Sequence, residues 1–285
     1  MDEAEFIAAL RTLPLHSGAR NLEDDCAMLE IGRETLVLTH DVMAEGTHFR
    51  PDADMADVAW KLVAVNLSDL AAKGADPVGV LLGHNLSVDD SRFLEGLRGA
   101  LETFDVPLLG GDTVKASGLR QFGLTAIGRA THTPVPSRAG AQVGDGIFVT
   151  GPLGRAMLGY EGEAEHLDAF NCPRPLLKEG QALAPHVTAM MDISDGLLLD
   201  CWRMASASNA TLQLERASIP VADCNRIDEC IRWGDDYQLL FTAPPDNLLP
   251  VGASRIGTVQ ASGATMLHLD TDNLSPDDQL GYEHR

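Results

Sequence analysis

The chain has 285 residues, 45% of them hydrophobic and 22% charged, which is enough for one large globular domain or two of ordinary size. Its formal net charge of −21 and pI near 4.6 exclude a basic face for nucleic acid, and they oppose an anionic substrate unless cations reverse the local sign. Five cysteines (Cys26, Cys172, Cys201, Cys224, Cys230) without a CxxC pair, an acidic N-terminus and no apolar run near the ~18 residues of a membrane span point to a reduced, cytoplasmic protein with no membrane partner.

In chain order, Phe6, Ile7 and Leu10 give residues 3–12 the spacing of a short amphipathic helix. Residues 35–39 read as a strand ending at Asp41, and residues 54–73 as a helix closed by Gly74 and Pro77. Residues 78–86 return to strand, 91–104 to helix, and 106–109 to a strand running into Gly110-Gly111; 122–127 is a further strand. Residues 131–146, rich in Thr, Pro, Ser and Gly, read as a link between two halves.

The second half restarts with a strand at 146–150 and a turn, Gly151-Pro152-Leu153-Gly154, that opens a helix. Helices are predicted at 178–186 and 195–207, and strands near 188–193, 211–215, 238–243, 254–260 and 264–269; the acidic segment 270–278 reads as a solvated loop. The alternation implies an α/β (α+β) chain of two domains, 1–134 and 135–285, each a mixed sheet with helices packed on it.

Short acidic motifs sit where apolar runs end: Asp24-Asp25-Cys26, Thr39-His40-Asp41, Asn66-Leu67-Ser68-Asp69, Gly110-Gly111-Asp112-Thr113, Asp192-Ile193-Ser194-Asp195-Gly196 and Gly234-Asp235-Asp236-Tyr237. Carboxylates brought within ~4 Å repel by ~4 kcal/mol at an effective dielectric of ~20, so a convergent set calls for cations. Oxygen ligands without a His or Cys grouping favour Mg²⁺ over zinc. No Walker loop, dinucleotide fingerprint or protein-kinase catalytic loop is present, so a nucleotide here would be held by metals on a different fold.

Each motif also has a structural reading. Gly110-Gly111-Asp112 fits a strand end that lets backbone approach a phosphate, or a tight turn with a helix cap. Asp192 and Ser194 share one face of an extended segment, with Ser194 or Asp195 available as an N-cap. Asn66 and Asp69 share a helix face inside an apolar stretch, where burial without a partner is costly. A lone His48 is a donor to phosphate or a structural histidine, and Trp60, Trp202 and Trp233 are too scattered to define a stacking platform.

Taken in order, these motifs resemble the thiamine-monophosphate kinases, in the superfamily of aminoimidazole ribonucleotide synthetase and selenophosphate synthetase. The resemblance runs from about Asp24 to the C-terminus and is most specific in Ala64-Val-Asn-Leu-Ser-Asp-Leu-Ala-Ala-Lys-Gly-Ala-Asp-Pro77, followed by Gly110–Thr113, Ser137-Arg-Ala-Gly-Ala141, Asp192–Leu197 and Gly234–Tyr237. It implies direct, ATP-dependent phosphorylation of thiamine monophosphate to thiamine diphosphate, without a phospho-enzyme. It also implies a homodimer formed through the N-terminal domains, which carry ATP and metal while the C-terminal domain completes the site.

Carried over by match, Asp25, Thr39, His40, Asp41, Asp69, Asp112, Asp192 and Asp195 would serve Mg²⁺. Gly111, Asp112, Arg138 and Ser194 would meet ATP, with Arg138 the cation on its phosphates. His48 and Asp235 would face thiamine monophosphate. The chain departs from the family pattern at Glu23, where Gly is frequent, at His40 for Thr or Ser, at Trp233 for Gly and at Asp235 for Glu. Near the C-terminus Gly281-Tyr282-Glu283-His284 is kept, but the usual substrate-facing Trp reads Gln279, leaving Tyr282 or Trp233 to stack on the substrate. The alternatives are a superfamily enzyme with another acceptor and a non-catalytic cation-binding module. A selenophosphate synthetase is disfavoured because the first cysteine, Cys26, lies inside the acidic motif.

Overall fold

The computed structural model describes residues 3–283, so His284 lies outside the described residues. Its first half comprises α1 (Glu3–Leu10), β1 (Ala27–Ile31), β2 (Glu34–Ala44), α2 (Met55–Ala72), β3 (Ala75–Asn85), α3 (Asp90–Phe104), β4 (Leu108–Val114) and β5 (Gln121–Ala130). The strands form a five-stranded mixed sheet in the order β1-β2-β5-β3-β4, parallel only between β3 and β4. Helices α2 and α3 cover one face. The other face leaves Val42 and Leu81 exposed, and edge strand β4 is exposed along its whole length.

The second half contains β6 (Gly146–Val149), α4 (Arg155–Glu161), α5 (Leu167–Asn171), α6 (Leu177–Leu183), β7 (Ala189–Asp192), α7 (Leu197–Ser208), β8 (Ala210–Leu214), α8 (Ile227–Trp233), β9 (Leu239–Ala243), β10 (Ser254–Ala261), β11 (Leu267–Leu269) and β12 (Asp272–Leu274). Its seven-stranded sheet runs β12-β11-β8-β10-β6-β9-β7, with β11 and β8 the parallel pair. The fold is therefore mixed α/β with two sheets, as the alternation of elements implies.

Two local expectations change. The strand expected at 106–109 lies at Leu108–Val114, so Gly110-Gly111-Asp112-Thr113 is inside an edge strand rather than in a loop after it. Gly111 is required there by contact, since a Cβ would fall 1.9 Å from the Leu82 carbonyl oxygen of β3. The acidic segment 270–278 is not a plain solvated loop, because it pairs β12 with β11 and closes with Ser275 and Asp278 capping a turn reciprocally.

Helix α2 fixes the relation between the halves. Asp54 caps it, its side chain accepting from Ala56 N at 2.9 Å. The helix is apolar almost all round because it is buried on several sides: it packs on β2 and β5, on α3, and on α6 and β7 of the second half. Contact with α6 is close enough that a Cβ at Gly180 would lie 1.9 Å from the Ala71 carbonyl oxygen. Gly180→Ala should therefore cost about 1–3 kcal/mol by overpacking, measured as a drop in urea midpoint. An unchanged midpoint would show that α6 can shift off α2 freely.

Candidate active site

Between the two sheets lies a cleft of about 750 Å³, a volume suited to small ligands. Helix α2 presents one stripe to it: Lys61, Val65 and Asp69, four residues apart, all line the cleft. Strand β2 adds Asp41, the loop before β1 adds Asp24 and Asp25, the end of β7 adds Asp192, and the turn after it adds Ser194 and Asp195. Carboxylate oxygens of Asp25, Asp69 and Asp192 lie within 4.8 Å of one another.

The two turns of the second half are laced together by backbone. Asp235 N donates to Ser194 O at 2.7 Å, Tyr237 N to Ile193 O at 2.9 Å, and Tyr282 N to Asp195 O at 2.9 Å. Gly234, at φ 88°, permits this approach, since a Cβ would stand 2.3 Å from Ser194 O. Asp235 and Tyr237 themselves adopt left-handed φ of 58° and 50°, a strained backbone of the kind that collects at functional sites. Buried Asp200 accepts from the N–H groups of Ser194 and Asp195, both at 3.2 Å, and Arg203 bridges Asp200 and Asp195.

Charge is distributed unevenly. Asp24 is paired with Lys73 and Arg20, and Asp25 with Lys73 and Arg138. Burial alone would raise the Asp24 carboxyl, but Lys73 and Arg20 hold it well below the usual carboxylate range. Burial would likewise lower the Lys73 ammonium and the Arg138 guanidinium; the carboxylates around them raise both instead.

Asp69 and Asp192 receive only hydroxyls among the described side chains, Thr39 donating to Asp69 and Ser68 to Asp192 at 2.6 Å. Burial, then repulsion from Asp195 and Asp25, pushes Asp41 up to about 6. Burial and Asp25 push Asp192 up to about 7, and burial with Asp41, Asp192 and Asp25 raises Asp69.

The structure brings together most, but not all, of the residues singled out in the sequence. Asp25, Asp41, Asp69, Asp192, Ser194, Asp195, Arg138, His48 and Asp235 all line the cleft, and Thr39 reaches Asp69. His40 does not join them: strand alternation sends its ring to the open face of the sheet, beside Gly123, where Nδ1 pairs with Thr125 Oγ1 at 2.9 Å.

Gly111 and Asp112 are also outside the cleft. Asp112 is in register with Gly83, Gly123 and Val42 across successive strands, three strand spacings or roughly 14 Å from the β2 segment that carries Asp41. Asn66 is satisfied within the protein, accepting from Asp41 N at 3.1 Å and donating to Leu62 O at 2.9 Å. His48 Nδ1 accepts from Ala44 N at 3.1 Å.

Sequence reasoning named Arg138 but missed two lysines. Lys61 pairs with Asp235 at 2.6 Å and lies 4.0 Å over the Phe170 ring, and Lys73 is wholly buried among acids. The available signal was the four-residue interval that relates Lys61, Val65, Asp69 and the C-cap Lys73 along α2. An aromatic wall was also missed: Tyr160 stands 5.1 Å from Trp233 and 5.2 Å from Phe170, with Arg50 4.4 Å over its ring. Gln279 is exposed and outside the cleft, whereas Trp233 and Tyr282 both line it.

Residues 23–130 match the family described as AIR synthase related protein, N-terminal domain. Over 252 residues the chain is 35% identical to the thiamine-monophosphate kinase of Escherichia coli K12, covering 79% of this chain and 76% of that protein. The chain belongs to the thiamine-monophosphate kinase family. The thiamine-monophosphate kinase of Leptospira interrogans serovar Lai is 32% identical over 288 residues, covering 92% of each. A solved structure of AaThiL complexed with AMPPCP and TMP is similar with a TM-score of 0.90 at 27% identity, spanning 100% of this chain and 97% of that one. Family membership agrees with the resemblance carried by the acidic motifs, and it removes the basis for treating their order as coincidence.

The raised carboxyls give a pH signature for protein freed of cations with a chelator. Both Asp41 and Asp192 lie above their ordinary value of 3.8, so the folded state binds protons more tightly than the unfolded chain. Their stabilising contribution is full below that value and is lost as pH rises through about 6 and about 7. Chemical denaturation across pH 4–8 should show this fall, and Asp192→Asn should flatten its upper limb by roughly 2–4 kcal/mol. A variant with the same slope as the native chain would contradict the assignment.

Proposed function

We propose that this chain is a thiamine-monophosphate kinase that transfers the γ-phosphoryl group of ATP to thiamine monophosphate, using Mg²⁺ held at the acidic cluster. The observation that carries this reading is the convergence of Asp25, Asp69 and Asp192 within 4.8 Å, beside a cleft of small-ligand size, in a chain 35% identical to the Escherichia coli thiamine-monophosphate kinase. The neighbouring structure complexed with AMPPCP and TMP supports the same pair of substrates.

The donor set fits Mg²⁺: it is all oxygen, and Asp41, Asp69 and Asp192 have no lysine or arginine partner among the described residues. Asp25, Thr39, Asp41, Asp69, Asp192 and Asp195 are the ligand candidates. The His40 imidazole is not, because it faces away. Bound Mg²⁺ would supply neutralisation of the charge on the phosphoryl groups. The chain itself supplies positioning. Arg138, whose guanidinium meets Asp25 in the cleft, would offer a planar fork to the ATP phosphates, Ser194 and its turn are held by Asp200, and no side-chain nucleophile is required. His48 and Asp235, with Trp233, Tyr160 and Tyr282, form the wall assigned to thiamine monophosphate.

Gly111 and Asp112 keep their assigned roles only across a subunit contact. The open sheet face and edge strand β4 expose Val42, Leu81, Leu108 and Leu109, an apolar surface suited to a homodimer through residues 1–134, with residues 135–285 completing each site. A cytoplasmic setting suits the five free cysteines. No helix among the described residues is long and apolar enough to cross a membrane.

ADP release with ATP and Mg²⁺ should occur with thiamine monophosphate and not with free thiamine, and Asp69→Asn should lower kcat at least ~100-fold with the fold intact. Magnesium-dependent nucleotide binding without turnover would indicate a different acceptor. Cation binding without ATP turnover would indicate a non-catalytic module. For Asp112, mixing Asp69→Asn and Asp112→Asn subunits should restore roughly a quarter of native activity, because half the dimers would each regain one intact site. No recovery in mixed dimers would place Asp112 and Asp69 in the same subunit's site, and full activity of Asp112→Asn alone would place Asp112 outside it.

A further inference from the structure

Lys73 sits at the C-terminal cap of α2 with its side chain entirely shielded from solvent. All three ammonium donors are used: Nζ donates to Asp24 Oδ1 at 2.5 Å, to Asp25 Oδ2, and to the Met190 carbonyl at 3.3 Å. Asp24 is shared with Arg20, and Asp25 Oδ1 with Arg138. Both oxygens of Asp25 thus already face a protein cation, although this residue lies within 4.8 Å of Asp69 and Asp192. On the far side, Asp69 and Asp192 take only the Thr39 and Ser68 hydroxyls.

We infer that Lys73 is a tethered cation that takes the place of a divalent ion at the Asp24–Asp25 pair, so that the divalent cations of this chain gather on the side of Asp25 that faces Asp41, Asp69 and Asp192. The inference rests on the cation-binding part of the proposed function. It is more than an ion-pair stabilising the fold, because the ammonium reaches two carboxylates of adjacent residues from an element that also carries Asp69. A fixed point charge with a flexible stem, at the end of a helix whose dipole favours cations, meets that requirement.

The test is Mn²⁺ binding to the full-length chain, counted from the loss of the free-ion electron paramagnetic resonance signal, for the native protein, Lys73→Met and Lys73→Arg. Lys73→Met should bind one more Mn²⁺ per chain than the native protein. Its melting temperature should fall without metal and rise with Mn²⁺ by more than the native protein's does. Lys73→Arg should keep the native count. A folded Lys73→Met with the native number and affinity overturns the inference while leaving the cation reading intact. So does a Lys73→Met that stays unfolded in saturating Mn²⁺. A native chain that binds no Mn²⁺ overturns the cation reading and this inference with it.

Discussion

Repulsion among buried carboxylates is the constraint around which this molecule is arranged. Taking acids out of water is unfavourable, and bringing them within a few ångströms of one another adds to the cost, so each must find a proton, a protein cation or a metal ion. The structure uses the protein cations unequally. Lys73, Arg20 and Arg138 satisfy Asp24 and Asp25, while Asp41, Asp69 and Asp192 are left to hold protons more tightly than ordinary aspartates. A polarised cluster of this kind suits the divalent cations of the proposed function and, through them, phosphate, which the overall charge of −21 would otherwise repel.

Helix α2 converts that constraint into a defined geometry. Buried against the first sheet, α3, α6 and β7, it carries Lys61 and Asp69 on one stripe and ends at Lys73. From the same helix Asn66 grips the backbone of Asp41, and Ser68 reaches Asp192 across from the second half. A rigid helix gripped on several sides therefore sets the distances between residues from β2, β7 and the loop before β1. The strain elsewhere, at Asp235 and Tyr237, is tolerated because the two turns of the second half are laced by backbone hydrogen bonds.

Much of this was legible in the sequence, and the limits have physical causes. The strand–helix alternation and the order of the acidic motifs give the two-sheet fold and most cluster members, because apolar periodicity and carboxylates at element ends are local signals. His40 was misplaced because a run of ligand-type residues on a strand alternates faces, so Thr39 and Asp41 cannot share one with it. The Asp112 motif reads locally as a loop at a strand end. The chain instead continues as edge strand β4, whose pairing with β3 is a long-range contact invisible to local pattern. Lys73 was passed over because burial of a lysine depends on partners distant in sequence, Asp24, Asp25 and Met190.

The proposed function requires divalent cations on the unneutralised side of the cluster. A crystal structure of the chain grown with Mn²⁺ and a non-hydrolysable ATP analogue, with anomalous data collected at the manganese edge, tests this most directly. Anomalous peaks within about 2.0–2.4 Å of carboxylate oxygens of Asp41, Asp69 or Asp192 are the expected result. An ordered nucleotide with no manganese at these residues, or manganese bound only at surface acids, would contradict it.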